Sequence, residues 1–334
     1  MTLAASGDGP LQRLASLKFT LGLFALFLLC IGLYLVGGRR HDVLIALPLL
    51  LFTLNLAAAV LVQPGFRAQA GLLAFHLALM VLVLLVAIGR LSYLTGELEL
   101  TRGQTFAGEL TRHQAGVFHP WRLDMVKFRL EGFTIDYGPG MVRDVTRCTL
   151  SWRDGRGEWR QGVVGDHRPF VQAGYRFYTT HNKGFAALFD WQLADGPRGM
   201  TGSVHFPPYP AREFSQAQQW SPTGSDRALW MQLQFDETIL DPAGHSQFHL
   251  PAEHLLVVRD GERRYELRPG ETLELPEGRL HYRGLSSWMG FHVTSDWTRP
   301  WLLAAGLLAV LSLGWHYWLK FSARPWLAAQ GVGE

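Results

Sequence analysis

Cysteine is almost missing from this chain: its 334 residues hold two, Cys30 and Cys148. The first lies in an apolar run and the second in a region of mixed polarity, so an internal disulfide is not expected. No Cys-x-x-Cys occurs, which excludes thioredoxin-like exchange. No Cys-x-x-Cys-His occurs either, so this chain carries no covalently attached c-type haem. Any haem or metal is held by side chains alone. A strong charge of one sign is lacking as well. The 31 Lys and Arg against 28 Asp and Glu leave +3, spread along the chain, and that pattern gives no case for nucleic acid. No Gly-rich phosphate loop, Ser-His-Asp order or internal repeat stands out.

Long apolar runs, by contrast, are plentiful. A helix needs roughly 20 apolar residues to cross a bilayer. Four runs qualify: Leu17–Val36, Val43–Val62, 71–94 and 301–319. The first has no small-residue cleavage site after it and reads as an anchor. The connectors 37–42 and 63–70 are short and make the first three helices antiparallel neighbours. The chain therefore divides into a tail with three spans (1–94), a domain (95–299) and a fourth span with a tail (300–334). Three spans followed by one put both termini on one side and the domain on the other. Flanking charges hardly orient this arrangement: Arg13, Lys18, Arg67, Lys320 and Arg324 stand against Arg39, Arg40, Arg90 and Arg299. Trp297 and Trp301 bracket the start of the fourth span as interfacial anchors do. Pro48 is read near the start of the second span, where a missing N–H is tolerated. Asn55, polar within the same span, is read as a helix–helix hydrogen bond.

From 95 onward the period changes to two. Phe128, Leu130, Phe133, Ile135 and Tyr137 alternate with polar residues, as do Cys148, Leu150 and Trp152. Tyr175 with Phe177, Met231 with Leu233 and Phe235, Tyr265 with Leu267, and Leu273 with Leu275 repeat the pattern. Such alternation marks half-buried strands. Asp260-Gly261 and Pro269-Gly270 supply turns. The expected architecture is four transmembrane helices with a large antiparallel β domain, a sandwich or an open barrel. Residues 205–224 are Pro-rich, lack alternation and are expected to form a long loop.

Ten histidines lie in the domain, and the nearest approach to metal spacing is His245-x3-His249-x4-His254. On a helix these would share a face, but the neighbouring residues do not read as helix. Two more lie in the spans. His76 sits among Leu, Ala, Phe, Met and Val, where an ionisable side chain is costly and is usually kept because it binds or relays something. A neutral imidazole is also a common metal ligand. The plain alternative is an imidazole hydrogen-bonded to a neighbouring helix. His316 lies near the end of the fourth span, where amphipathic side chains reach toward headgroups, and a ligand role is the second reading. At 1.5 Å per residue, His76 is about 7.5 Å into its helix and His316 about 6 Å from Lys320. Both lie toward the terminal side, which permits a shared site.

The layout and several local motifs resemble the ResB family, also called CcsB, of the system II cytochrome c maturation pathway. Residues 14–29 (LASLKFTLGLFALFLL) are similar to its opening Ser-Leu-Lys helix, and 74–79 (AFHLAL) to its third-helix histidine motif. Residues 97–105 (ELELTRGQT), 168–180 (RPFVQAGYRFYTT) and 290–301 (GFHVTSDWTRPW) resemble further family segments. The resemblance implies a bacterial inner (cytoplasmic) membrane location with the β domain in the periplasm and the tails in the cytoplasm. It implies a polytopic CcsA/ResC-like partner, haem b as a transient cofactor and apocytochrome c as the protein served. The pair moves haem outward and attaches it to CxxCH motifs, this chain acting as an accessory subunit of a haem lyase. The family's third-helix histidine ligates haem, a role that carries onto His76. His316 inherits no such role and is offered on its position alone. No Trp-rich segment of the partner's kind occurs, so the chain is not a fused form. Two rivals stay open: a membrane-anchored assembly protein without haem, and a haem b electron-transfer subunit using His76 with His316.

Overall fold

The computed structural model describes residues 9–37, 41–165, 167–194, 199–211 and 215–322. Arg39, Arg40 and Arg324, counted above among the flanking charges, lie outside the described residues, as do the ends of both tails. The chain splits into two compact units. One holds Met1–Leu94, Gln114–Pro120 and Ser295–Glu334; the other holds Thr95–His113 and Trp121–Thr294.

The first unit is helical. A short helix α1 (Pro10–Leu14) precedes α2 (Leu17–Val36), α3 (Val43–Val62), the one-turn α4 (Pro64–Arg67), α5 (Ala70–Ser92) and α6 (Arg299–Ser322). Of these, α2, α3, α5 and α6 are long and apolar enough to cross a membrane, and the chain is a multi-pass membrane protein. Ser16 caps α2 by accepting from the Phe19 N–H at 3.2 Å. Asn55 is buried and makes the inter-helix bonds expected of it. Its Nδ2 donates to the Leu14 carbonyl at 2.6 Å, and its Oδ1 accepts from Thr20 at 3.0 Å. Pro48 is not in the first turn but in the second, where it removes one i→i−4 bond inside a buried stretch of α3.

Small residues bring α5 and α6 together. A Cβ added at Gly71 meets the His316 backbone at 2.9 Å, and one at Gly89 meets Thr298 Oγ1 at 2.8 Å. Ala78, Ala305, Ala309 and Ser312 are buried in the same unit. Lipid tails are as apolar as leucine, so membrane helices associate through such close packing.

The second unit is built from antiparallel strands. In chain order they are β1 (Leu94–Thr101), β2 (Thr105–Phe106), β3 (Arg112–Ala115), β4 (Phe128–Gly138), β5 (Val142–Arg153), β6 (Trp159–Gly165), β7 (Phe170–Gln172) and β8 (Tyr175–Leu193). Then come β9 (Met200–His205), β10 (Ala217–Trp220), β11 (Leu229–Gln234), β12 (Ser246–Gln247), β13 (Leu255–Asp260), β14 (Arg263–Leu267), β15 (Thr272–Leu275) and β16 (Gly278–Ser295). Three sheets result. The first runs β3-β1-β16-β8-β7, with β15 on β16 and β9 on β8; the second runs β10-β11-β13-β14; the third runs β12-β4-β5-β6, with β2 on β4. The long strands β8 and β16 pair over most of their length and carry register shifts between Tyr282 and Gly284 and between Met289 and Phe291. Gly261 turns β13 into β14 at φ 59°, a left-handed conformation that suits glycine. The alternating residues supply the core. Phe128, Phe170, Phe177 and Phe291 meet in one aromatic cluster, and Phe185, Tyr209 and Phe248 in another. Each buried Phe is worth roughly 1.5–3 kcal/mol relative to exposure. The expected loop at 205–224 needs correction: β10 lies inside it and pairs with β11. Alternation fails there because β10 has no residue classed as buried to reveal a face.

Candidate functional site

His76 lies in the second turn of α5. Its Nδ1 is 2.7 Å from the Leu72 carbonyl one turn back. A carbonyl only accepts, so Nδ1 carries a proton, and in the neutral imidazole that ligation requires the lone pair is on Nε2. Among the described residues, Nε2 has no hydrogen-bond partner. The ring is flanked by aromatics: the Phe66 centroid is 4.3 Å away and the Phe75 centroid 5.2 Å. Phe66 belongs to α4, so the kink after α3 sets one wall of the imidazole's surroundings. This donor set fits an axial nitrogen ligand to haem iron: an imidazole whose Nδ1 is held by a carbonyl and whose Nε2 faces outward among apolar rings.

His316 is placed differently. Its backbone packs on Gly71, on the seam between α5 and α6. At about 100° per residue, His76 lies about 140° around α5 from Gly71. The fully buried Ala87 is about 20° from the His76 direction, on the side away from that seam. The His76 Cα is also about 7.5 Å farther along the axis than Gly71, although its ring leans back toward Leu72. Among the described residues no hydrogen bond or ring contact joins the two imidazoles. The ring nearest His316 is its neighbour Tyr317, at 5.3 Å between centroids.

A polar cluster that sequence reading missed stands at the other end of the bundle. Asp42, 4% exposed, precedes α3 and forms an ion pair with Arg90 of α5. Arg90 also donates to the Tyr34 hydroxyl of α2, and the Tyr93 hydroxyl donates to Asp42 at 3.2 and 3.3 Å. The guanidinium lies over both tyrosine rings, 5.4 and 4.8 Å from their centroids. Three helices are thereby tied at one end, and Arg90, counted above as a flanking charge, is paired. The signal was present: Asp42 is the one acidic residue between Asp8 and Glu97.

In the β unit the histidines are engaged locally. His249 donates to Glu237 at 2.7 Å and to the Gln247 carbonyl at 2.9 Å. The Gln247 carbonyl and Glu237 together raise its pKa, while the Ala252 N–H and then His249 lower that of Glu237. His254 meets the Tyr282 hydroxyl at 2.8 Å, and burial holds its pKa below the usual value. His245, His249 and His254 are not brought to one point, and among the described residues no group of three ligands could hold a metal. His205 joins Glu99 at 2.9 Å and Thr101 at 2.8 Å, stacks on Trp288, and has both nitrogens occupied. Cys148 is fully buried, and burial pushes its thiol up to about 12, so it stays protonated.

A model of the ResB-like family matches residues 55–224, just over half of the chain. The match contains His76 and Arg90 and ends before His316. No curated protein matches the chain.

Proposed function

The chain belongs to the ResB-like family, whose members take part in cytochrome c biogenesis, and from that premise we propose that it is the membrane subunit of a system II cytochrome c synthase. In this reading it assists haem export and attachment to the CxxCH motifs of apocytochrome c, in the bacterial inner membrane with the β unit in the periplasm. The observation that carries the proposal is His76: the Leu72 carbonyl accepts a hydrogen bond from Nδ1, and Nε2 is left for a ligand among Phe66 and Phe75. When bound, haem supplies the vinyl groups that thioether formation consumes. The chain's own residues hold and orient: His76 offers one axial nitrogen, and Phe66 and Phe75 supply apolar contact. The second axial nitrogen is assigned to a CcsA/ResC-like polytopic partner. The divergent placement of His316 supports that choice over a bis-histidine site within one chain, and so disfavours the electron-transfer rival.

The test uses the protein purified with its partner. His76→Ala is expected to lose most of the haem absorption, and added imidazole to restore part of it, as a vacated ligand position requires. Unchanged haem content in His76→Ala sinks the ligand assignment. Colourless wild-type complex, with normal c-type cytochromes in a deletion strain, favours the assembly protein without haem.

A further inference from the structure

Residues 114–120 stand apart from the chain on either side of them. Thr95–His113 and Trp121–Thr294 belong to the β unit, whereas Gln114–Pro120 belongs to the helical one. The segment (QAGVFHP) holds no Lys, Arg, Asp or Glu. A helix ends on carbonyls that no further turn satisfies, and this segment satisfies those of α5. The Phe118 N–H donates to the Leu91 carbonyl at 2.8 Å, the Gly116 N–H to the Tyr93 carbonyl at 2.9 Å, and His119 Nδ1 to the Ser92 carbonyl at 2.8 Å. The seat requires glycine at 116, because an added Cβ would stand 2.3 Å from the Leu91 backbone.

These bonds fix a depth. The main chain descends from the level of Tyr93 at Gly116 to that of Leu91 at Phe118, two residues or about 3 Å along the axis of α5. Leu91 lies inside the apolar helix, which runs to Ser92. The chain then turns back, the His119 N–H donating to the Gly116 carbonyl at 3.0 Å. Val117 and Phe118 hold the two central positions of this tight turn, where Gly, Pro, Asn, Asp and Ser dominate. Neither is covered: Val117 is 63% exposed and Phe118 73%. The exposed Trp297 reaches the same level, where its Nε1 donates to Ser92 Oγ at 3.1 Å. Trp and Tyr rings gather at the headgroup layer, and a bilayer crossed by α5 has its hydrocarbon boundary at the end of that helix. An uncharged turn seated there with Val and Phe at its tip therefore faces phospholipid.

We propose that the Gly116–His119 turn is a membrane-dipping loop: Val117 and Phe118 enter the interfacial layer of the leaflet in which α5 ends, and their contact is with lipid.

The test places an environment-sensitive fluorophore on Phe118→Cys in the full chain, reconstituted in vesicles alone and together with the polytopic partner proposed above. Cys30 and Cys148 are buried and leave the new thiol as the reactive one. Phosphatidylcholine brominated near the headgroup end of its acyl chains is expected to quench most of the emission, and aqueous iodide little of it. A label at Arg156→Cys, exposed between β5 and β6, is expected to show the reverse. Gly116→Ala, added to the labelled chain, is expected to lower the lipid quenching because the turn loses its seat on α5. Val117→Cys repeats the reading where Phe118→Cys does not fold. Iodide quenching at Phe118 equal to that at Arg156 overturns the proposal, since the turn then stands in water. Lipid quenching that disappears when the partner is present overturns it too, since the occupant is then protein. Full lipid quenching in folded Gly116→Ala overturns the assignment of depth to the seat on α5. None of these readouts involves haem, so the outcome is independent of the reading of His76.

Discussion

The Asp42–Arg90 pair is where a single substitution separates a structural clamp from a surface contact. The Asp42 side chain is 5% exposed and that of Arg90 31%. Removing one partner of a fully buried pair costs about 3–5 kcal/mol, because the other charge is stranded. Water still reaches part of Arg90, so Asp42→Ala is expected to cost less, about 2–3 kcal/mol. Arg90→Ala strands the more buried carboxylate, with the Tyr93 hydroxyl as its remaining donor, and belongs nearer the upper end, at about 3–4 kcal/mol. In the double variant nothing is stranded, so the cycle is expected to show coupling of about 1–2 kcal/mol. The assay is denaturant unfolding of all four proteins in one detergent, at low and high salt. A surface pair weakens with salt, whereas this one is expected to hold its coupling because Asp42 is shielded from counterions. Additive single effects, or coupling that vanishes in salt, refute the clamp.

Two further outcomes follow from packing and burial. Gly71→Ala places a methyl 2.9 Å from the His316 backbone and is expected to destabilise by about 1–3 kcal/mol as the helices part, whereas Gly22→Ala, with nothing within 4 Å, is expected to be neutral or slightly stabilising; equal unfolding midpoints for the two would refute the close seam. His254 has a depressed folded-state pKa, so the unfolded chain takes up the proton first and stability falls as pH drops below about 6.5. His249, with its raised pKa, works the opposite way in the same window, so the readout is the difference between wild type and His254→Gln at pH 7.5 and 5.5. The expected result is a smaller acid loss in the variant, and parallel curves would dismiss the buried imidazole as its source.

The helices were legible because their signal is local. Val43–Val62 carries no charge and Leu17–Val36 only Lys18, in its first turn, and the fold begins and ends them at those residues. The strands were legible where one face is buried, as in β4 and β5, whose burial alternates with the sequence. β10 has no such face and was missed. Sheet membership was not legible, because pairing joins residues far apart. Thr101 meets His205 across 104 positions, and no pattern within β1 foretells it. His76 stood out in sequence because its neighbours are all apolar. Asp42 and Arg90 did not, because each looked like an ordinary flanking charge until the helices brought them together.

The circumference of α5 explains how the bundle accommodates His76. One side of the helix carries Gly71, Ala78 and Gly89 and is spent on close approach to α6. A side chain as large as His on that side would part the helices. The imidazole stands away from it, beside Phe66, and satisfies one nitrogen on its own helix through the Leu72 carbonyl. That arrangement halves the desolvation problem without needing a polar neighbour. The other nitrogen has no hydrogen-bond partner among the described residues, and the ring is only half-buried, so that nitrogen is open to a ligand. Ligation at Nε2 would leave the hydrogen bond to Leu72 in place. A histidine kept for packing alone would do better as leucine. The unpaired Nε2 is thus the feature that a purely structural role leaves without a purpose.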